Sequence, residues 1–546
     1  MKFFSYANPH MYISIALSLV NAAMLLFAAY KFFQIIQLSG YKLKGYFVWI
    51  KDTKAKYISR ILTLSLLSLA CSLVTNALFN EETYSAGLYF TYLGMIFYVY
   101  FSVIFCINLY AAPKKVPLKN TTRMTRLNIA LYIFVAGITF ILLAVTSEFL
   151  PPLFHTSVIC LTPLMLPILV PFVHLLLVPL EKLIINKYVI QAKHRLKKYP
   201  DLIKIAITGS YGKTSTKYIL NTILSQKYNV CMTPHSFNTI TGVSKVINDY
   251  LKPQNEVLIT EMGARNVGDI KGLADFIKPK YGIITNIGTQ HLLTFGTVEN
   301  IENTKYELIQ ALPQDGYAVF NGENEGCKKL YDRCPIEKSL AGNCDQSNVT
   351  YSRIRVDKNG THFTLMIGES KMNCNTKLIG KHNVDNIVLC VQMALKLGLS
   401  HEQIVAGIKN LKPVPHRLEM TVNESNVTIL DDSYNASVEG SEVALDVLSK
   451  FGNKKIIVTP GLVELGSREK EENFNFGVKM SKVADYIVIV NKVNLESIKK
   501  GIESTKFNMT RVYEAETLDE AKLLLKGIVQ TGDAVLFEND LPDNYI

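Results

Sequence analysis

Thr208-Gly209-Ser210-Tyr211-Gly212-Lys213-Thr214 is the stretch whose reading decides the fold of the larger part of this chain. It comes directly off the apolar run Ile203–Thr208, which reads as a buried strand, and it opens a helical stretch beginning with Lys213, Thr214 and Ser215. Gly209 and Gly212 allow a tight turn that aims backbone amides at an anion, with Ser210 between them. Lys213 reaches toward outer phosphates, and the Thr214 hydroxyl suits a magnesium ion. The usual first glycine of such a loop would fall at Ile207 and is missing, so the match is to its Gly-Lys-Thr end. A chance Gly-Lys-Thr is common. The strand before it and the helix after it are what turn it into an expectation of ATP and Mg2+ binding.

Working outward, Val257–Thr260 and Tyr281–Thr285 are two more short apolar runs, each followed by a polar loop and a helical stretch. That rhythm predicts a parallel sheet with helices on both faces. A second series follows Pro413 and Pro415: Val427–Leu430, Lys455–Thr459, Tyr486–Val490 and Ala534–Phe537. The expected organisation is therefore a P-loop-type parallel-sheet ATPase domain over 201–412 and a C-terminal Rossmann-like α/β domain over 413–546. Between them, 338–377 alternates polar and apolar residues, as in Thr361-His362-Phe363-Thr364-Leu365-Met366, and reads as an antiparallel hairpin.

The first third is different. The 546 residues are 49% hydrophobic and 19% charged, and the apolar excess gathers in five long runs before residue 181. They are Met11–Ile36, Tyr57–Phe79, Ala86–Ala112, Leu127–Leu150 and Ser157–Leu180. Each reaches the roughly 20 residues needed to cross a bilayer. The expectation is an all-α transmembrane region of five helices over 1–180, then a basic connector over 181–200. Lys42, Lys44, Lys51, Lys54, Lys56 and Arg60 follow the first run, and Lys114, Lys115, Lys119, Arg123 and Arg126 follow the third. More Lys and Arg follow the fifth, while the remaining two loops carry none. Cationic loops stay cytoplasmic, which puts the N-terminus outside the cell membrane in multi-pass form and everything after 181 in the cytosol. The net charge of +12 lies largely in these loops. It is explained by topology and by anionic membrane lipids, with no nucleic acid partner expected. The nine cysteines include no Cys-x-x-Cys pair, so no disulfide framework and no four-cysteine zinc site is expected.

The second and third strands end on metal-type residues. Val257–Thr260 runs into Glu261, and Tyr281–Thr285 runs into Asn286 with His291 shortly after. Ligands of doubly wound sheets bind beyond the carboxyl ends of strands, so Thr214, Glu261 and His291 are expected to meet at one metal site. The carboxylate oxygen suits Mg2+, and a histidine would also be at home with Mn2+.

These blocks, together with Glu261-Met262-Gly263-Ala264, Thr285-Asn286-Ile287-Gly288, Gly380-Lys381-His382-Asn383 and His416-Arg417-Leu418-Glu419, resemble the successive motifs of the Mur ligases. Asp431-Asp432-Ser433-Tyr434-Asn435-Ala436 and Glu464-Leu465-Gly466 look most like the MurF branch, which joins D-alanyl-D-alanine to a UDP-linked muramoyl peptide. The resemblance covers about 200–540. It implies that ATP phosphorylates a carboxylate and that the amine of an amino acid or dipeptide attacks the acyl phosphate, giving an amide, ADP and phosphate. It implies that Lys213, Lys305, His291, Arg417 and Asp432 are catalytic. Gly209, Ser210, Gly212, Lys213, Thr214, Ser215, Asn321 and Arg417 would hold the nucleotide. Thr214, Glu261, His291 and Lys305 would hold one or two metal ions, Lys305 as a carbamoylated lysine. Tyr434 and Asn435 would meet the substrate.

Three departures from the family are visible. Membrane runs stand where the family has a small soluble domain for the UDP end. Asn473 stands where a histidine is expected. Phe537-Glu538-Asn539-Asp540-Leu541 replaces a basic Lys-Gly-Ser ending. The first departure motivates the expectation of a muramoyl-peptide-like substrate that is either a small molecule or lipid-linked. The runner-up enzyme is a poly-gamma-glutamate-type ligase, against which the Asp431–Ala436 block speaks. An ATP-driven transporter would need ionisable residues within the spans, which contain few (His174 lies near one end). A scaffold without chemistry is disfavoured by intact Lys213, Glu261, His291, Lys305 and Arg417.

Overall fold

The structure is a computed structural model that describes residues 9–52, 56–78, 99–100, 103–104, 107, 118–149, 157–234, 237–288, 295–434, 437–451, 453–463 and 465–540. The chain forms two compact units, one up to Ile184 and one from Ile185.

The first unit is helical: Pro9–Ala28, Tyr30–Leu38, Leu43–Asp52, Lys56–Leu78, Thr122–Phe149, a 3-10 stretch Ser157–Met165, and the start of Leu166–Lys197. Among the described residues, two helices are long and apolar enough to cross a membrane, Thr122–Thr146 and Ile159–Lys197. A third joins them if Ser14–Ala28 and Tyr30–Leu38, bent by 49° at Ala29, count as one span. Of the five expected spans, the second is the helix Lys56–Leu78, 23 residues long, with Ser59–Val74 its apolar stretch among the described residues. Most of the third, 86–112, lies outside the described residues. The fifth begins as a 3-10 stretch that contains Pro163 and continues as the α-helix Leu166–Lys197, which contains Pro171 and Pro179.

Leu25, Phe32, Phe33, Ile36, Leu127, Leu131 and Val170 are buried inside this unit, while Ile129, Ile133, Ile141, Ile168 and Leu176 face outward. Inside, Asn21 donates to the hydroxyls of Thr139 (3.0 Å) and Thr162 (3.2 Å), so polar side chains on separate segments satisfy one another. At the basic end, Arg126 makes a two-pronged bond to Glu181, at 2.7 and 2.8 Å.

The second unit holds three sheets. Strands β1 (Ile203–Thr208), β2 (Val230–Met232), β3 (Val257–Glu261), β4 (Tyr281–Ile284), β5 (Tyr317–Asn321) and β6 (Glu337–Ala341) pair entirely in parallel, in the order β2-β3-β1-β4-β5-β6. Ala206, Leu258 and Ile284 pack on one face, and Ile205, Ile207, Ile259 and Ile283 on the other. Burial on both faces is why these strands read as unbroken apolar runs. It also explains the missing first glycine. Ile207 is fully buried in β1, which runs on to Thr208, so the loop begins at Gly209.

The antiparallel pairing expected over 338–377 holds for most of that stretch but not for its start. Its start is β6, the parallel edge strand. Its remainder is a three-stranded antiparallel sheet of β7 (Val349–Asp357), β8 (Gly360–Ile367) and β9 (Ser370–Thr376). The physical reason is that Leu340 and Ala341 are buried beside β5, whereas β8 alternates buried and half-buried residues.

The last sheet comprises β10 (Glu419–Val422), β11 (Thr428–Asp432), β12 (Lys455–Thr459), β13 (Tyr486–Val490), β14 (Val512–Ala515) and β15 (Ala534–Glu538). Its order is β10-β11-β15-β12-β13-β14, parallel except for the edge strand β10.

Candidate active site

In the first sheet the chain order reverses across β1, so the crevice at the carboxyl ends of β3, β1 and β4 is where a ligand is expected. The 208–214 loop lies there. A Cβ on Gly209 would stand 2.1 Å from the Thr285 hydroxyl, so β4 leaves room for glycine alone. Gly212 has φ +81° and begins the helix Lys213–Leu224 without any side-chain cap, leaving its first amides for an anion. The loop is tied to β4's end by Ser210 N–H donating to Asn286 O (2.7 Å) and by the Thr285 hydroxyl donating to Tyr211 O (2.6 Å).

Lys213 folds back on this loop and donates to the carbonyls of Gly209 (2.7 Å) and Ser210 (2.8 Å). Burial lowers its pKa to about 8; Glu261 opposes that shift and Arg417 adds to it. Thr214 and Glu261 do meet: the threonine hydroxyl lies 3.0 Å from Glu261 Oε2. Two partners of Glu261 were not anticipated from the sequence. Lys217 donates to Oε2 at 3.2 Å and Asn238 to Oε1 at 3.2 Å. Lys217 follows Lys213 by one helical turn, so the i, i+4 spacing was the available signal.

Lys305 sits on the helix Val298–Gln310, 3% exposed, and burial followed by the charge of Lys213 lowers its pKa to about 7. Asn321 ends β5 and donates to Asn286 Oδ1 (2.9 Å). A hydroxyl and a carboxylate converging at 3.0 Å form a hard-oxygen donor set that fits Mg2+. Among the described residues there is no group of three or more His, Cys, Asp and Glu that could hold a metal. His291, Asn435 and Glu464 lie outside the described residues.

From the last sheet's side, Arg417 and Ser215 line one cleft with Tyr218, Ile379, Asn383 and Lys412. The Arg417 guanidinium lies 4.2 Å over the Tyr434 ring. Asp432 accepts from Leu418 N–H (3.0 Å), and burial raises its pKa to about 6 despite Arg417. Asn473 is fully buried and clamps the preceding loop by bonding Leu462 N–H, Leu462 O and Glu469 O, each at 2.8 Å. Its amide uses both donor and acceptor here. Asn473→Ala is expected to destabilise the fold by about 2–3 kcal/mol, measured by chemical denaturation; an unchanged midpoint would contradict the clamp.

A glycine-containing loop at a sheet switch point has a carboxylate beside it, and Arg417 follows just ahead of a second, largely parallel sheet. Comparison places this arrangement more closely. The Mur ligase middle domain matches 207–394, and the Mur ligase glutamate ligase domain matches 416–538. The chain belongs to the Mur ligase family. The UDP-N-acetylmuramoyl-tripeptide–D-alanyl-D-alanine ligase of Mycobacterium leprae is 31% identical over 365 residues, 61% of this chain and 70% of that protein. The Escherichia coli enzyme of the same name is 30% identical over 275 residues, 49% of this chain; the chain spans 59% of that relative's length. MurF ligase from Thermotoga maritima in complex with ADP superposes with a TM-score of 0.59 at 26% identity, covering 65% of this chain and 80% of that one.

Proposed function

We propose that this chain is an ATP-dependent amide ligase of the MurF type. A muramoyl-tripeptide carboxylate takes the terminal phosphoryl group of ATP, releasing ADP. The amine of D-alanyl-D-alanine, or of a similar amino acid or dipeptide, then displaces phosphate and forms the amide. The observation that carries this reading is the meeting of Lys213, Thr214 and Glu261 beyond the ends of β1 and β3, in a chain where Arg417 precedes the second sheet and Asp432 ends its strand β11. The names of the relatives support the choice of substrates.

In this reading Thr214, Glu261 and His291 hold Mg2+, which would neutralise phosphate charge. Lys213 and Arg417 steady the phosphates, and Asn321 lies toward the base. Lys305 and Lys213 are two buried cations whose charges oppose each other. Conversion of Lys305 to a carbamate would replace that repulsion with attraction and supply a further metal ligand. The domain boundary falls at 412–416. The apolar helices hold the enzyme in the cell membrane with the ligase part on the side of the basic loops. A substrate carried on a lipid is the second reading, favoured by those helices.

The test uses the full-length protein in lipid nanodiscs with ATP, Mg2+, D-alanyl-D-alanine and either UDP-linked or lipid-linked muramoyl tripeptide. ADP and phosphate should form only when acid and amine are both present, with the amide product seen by mass. ATP hydrolysis that ignores both would overturn the ligase reading. Preference for the UDP-linked acid would remove the lipid-linked one.

A further inference from the structure

Glu538, which ends β15, is a fully buried carboxyl, and neither of its oxygens has a hydrogen-bond partner among the described residues. Such a group costs several kcal/mol unless something pairs with it. Its strand neighbour compounds the cost. Asp432 stands directly beside it in the β11–β15 register. Leu430 and Leu536, two residues earlier on each strand, are buried in one cluster. The alternation of strands therefore sends Asp432 and Glu538 to the same face, at the carboxyl edge of the sheet where ligands of parallel sheets bind.

Taking the ligase reading as given, we propose that Asp432 and Glu538 form the subsite for the ammonium group of the second, amine-bearing substrate. Adjacent strands lie about 4.8 Å apart, and one ammonium donating to two carboxylates at about 2.8 Å each spans that gap. A divalent metal is a poorer occupant, since Mg2+ demands near-octahedral oxygen coordination and no third acidic, His or Cys ligand gathers here among the described residues. Without a cation, two buried neighbouring carboxyls cannot both ionise. Burial and Asp432 hold the Glu538 proton affinity well above that of an ordinary carboxyl, and Asp432 is raised as well. The arriving ammonium reverses that balance, and one carboxyl gives up its proton. The neighbouring backbone is held in place for this. Asn539, at φ +64°, donates from its side chain to Gly461 O (2.6 Å) and from its N–H to Asp432 O (3.2 Å).

Calorimetry on the full-length protein in nanodiscs, with a non-hydrolysable ATP analogue and Mg2+, compares D-alanyl-D-alanine with D-lactoyl-D-alanine, in which a hydroxyl replaces the ammonium. The wild type should bind the dipeptide at least tenfold more tightly. Near neutral pH it should release about one proton with the dipeptide and none with the depsipeptide, read from buffers of different ionisation enthalpy. In Glu538→Gln the affinity ratio should collapse toward one. Equal affinities in the wild type, no proton release, or a preference that survives Glu538→Gln would each overturn the proposal. The wild-type measurements stand even if the variant does not fold. Phosphate release is followed separately. Amine-dependent release with an unchanged ratio sinks this subsite alone, whereas absence of amine-dependent release sinks the ligase reading and this subsite with it.

Discussion

Lys213→Ala is expected to lower ATP-dependent phosphate release by about 10²- to 10³-fold while leaving the protein folded. The side chain has two visible bonds, both to carbonyls of its own loop, at Gly209 and Ser210. Losing them removes one hydrogen bond's worth of net stability for each, about 1 kcal/mol, and Ala is a good residue for the first turn of a helix. What the loop loses in function is far larger. Its amides can still cup a phosphate, but no fixed cation follows the charge that builds up on the transferring phosphoryl group. Lys213→Arg should fare little better, because a planar guanidinium cannot occupy the space of a compact ammonium between two loop carbonyls. Steady-state phosphate release beside a thermal melt separates the two effects. Near wild-type turnover in a well-folded Lys213→Ala protein would mean that the loop does not bind the reacting phosphates.

How much of this was legible in the sequence depended on burial. β1, β3, β4, β11, β12, β13 and β15 announce themselves as apolar runs to within a residue or two, whereas β5 (Tyr317–Asn321), buried at every position, is not among the runs read from the sequence. β2 is three residues long, and β10 and β14 are four-residue edge strands with exposed or half-buried positions, so nothing in their composition marks them. β6 reads as part of a hairpin because three of its five residues, Glu337, Lys338 and Ser339, are polar at the sheet edge. Thr214 and Glu261 were legible because strand ends converge in a parallel sheet. Lys217 was not, because a lysine four residues along a helix ordinarily points to water. Asn473 was noticed only as a departure, and its place as a loop clamp needed coordinates. Glu538 was likewise seen as a change of charge, while its burial beside Asp432 is a matter of register between strands more than one hundred residues apart.

Lys217→Met should make the fold depend on magnesium. Lys217 and Glu261 are 3.2 Å apart with side chains 0% and 2% exposed, so each is the other's compensation for lost hydration. Thr214 and Asn238 also bond Glu261, but both are neutral. Removing the only cation that bonds the carboxylate among the described residues leaves a buried anion and is expected to cost about 3–5 kcal/mol. Adding Glu261→Gln to the same protein should recover much of this, since the charge to be compensated is gone. Magnesium separates a structural ion pair from a metal site. In the wild type a metal ion approaching Glu261 Oε2 must share that oxygen with the Lys217 ammonium, whereas in Lys217→Met it meets an uncompensated carboxylate. A ligand that binds only the folded form raises stability in proportion to its affinity for it. Millimolar MgCl2 should therefore raise the melting temperature of Lys217→Met by several degrees more than that of the wild type. The Lys217→Met/Glu261→Gln protein should gain little. Equal shifts in all three would show that the carboxylate held by Lys217 does not take the metal, and Glu261 would then act through its bond to Thr214 alone.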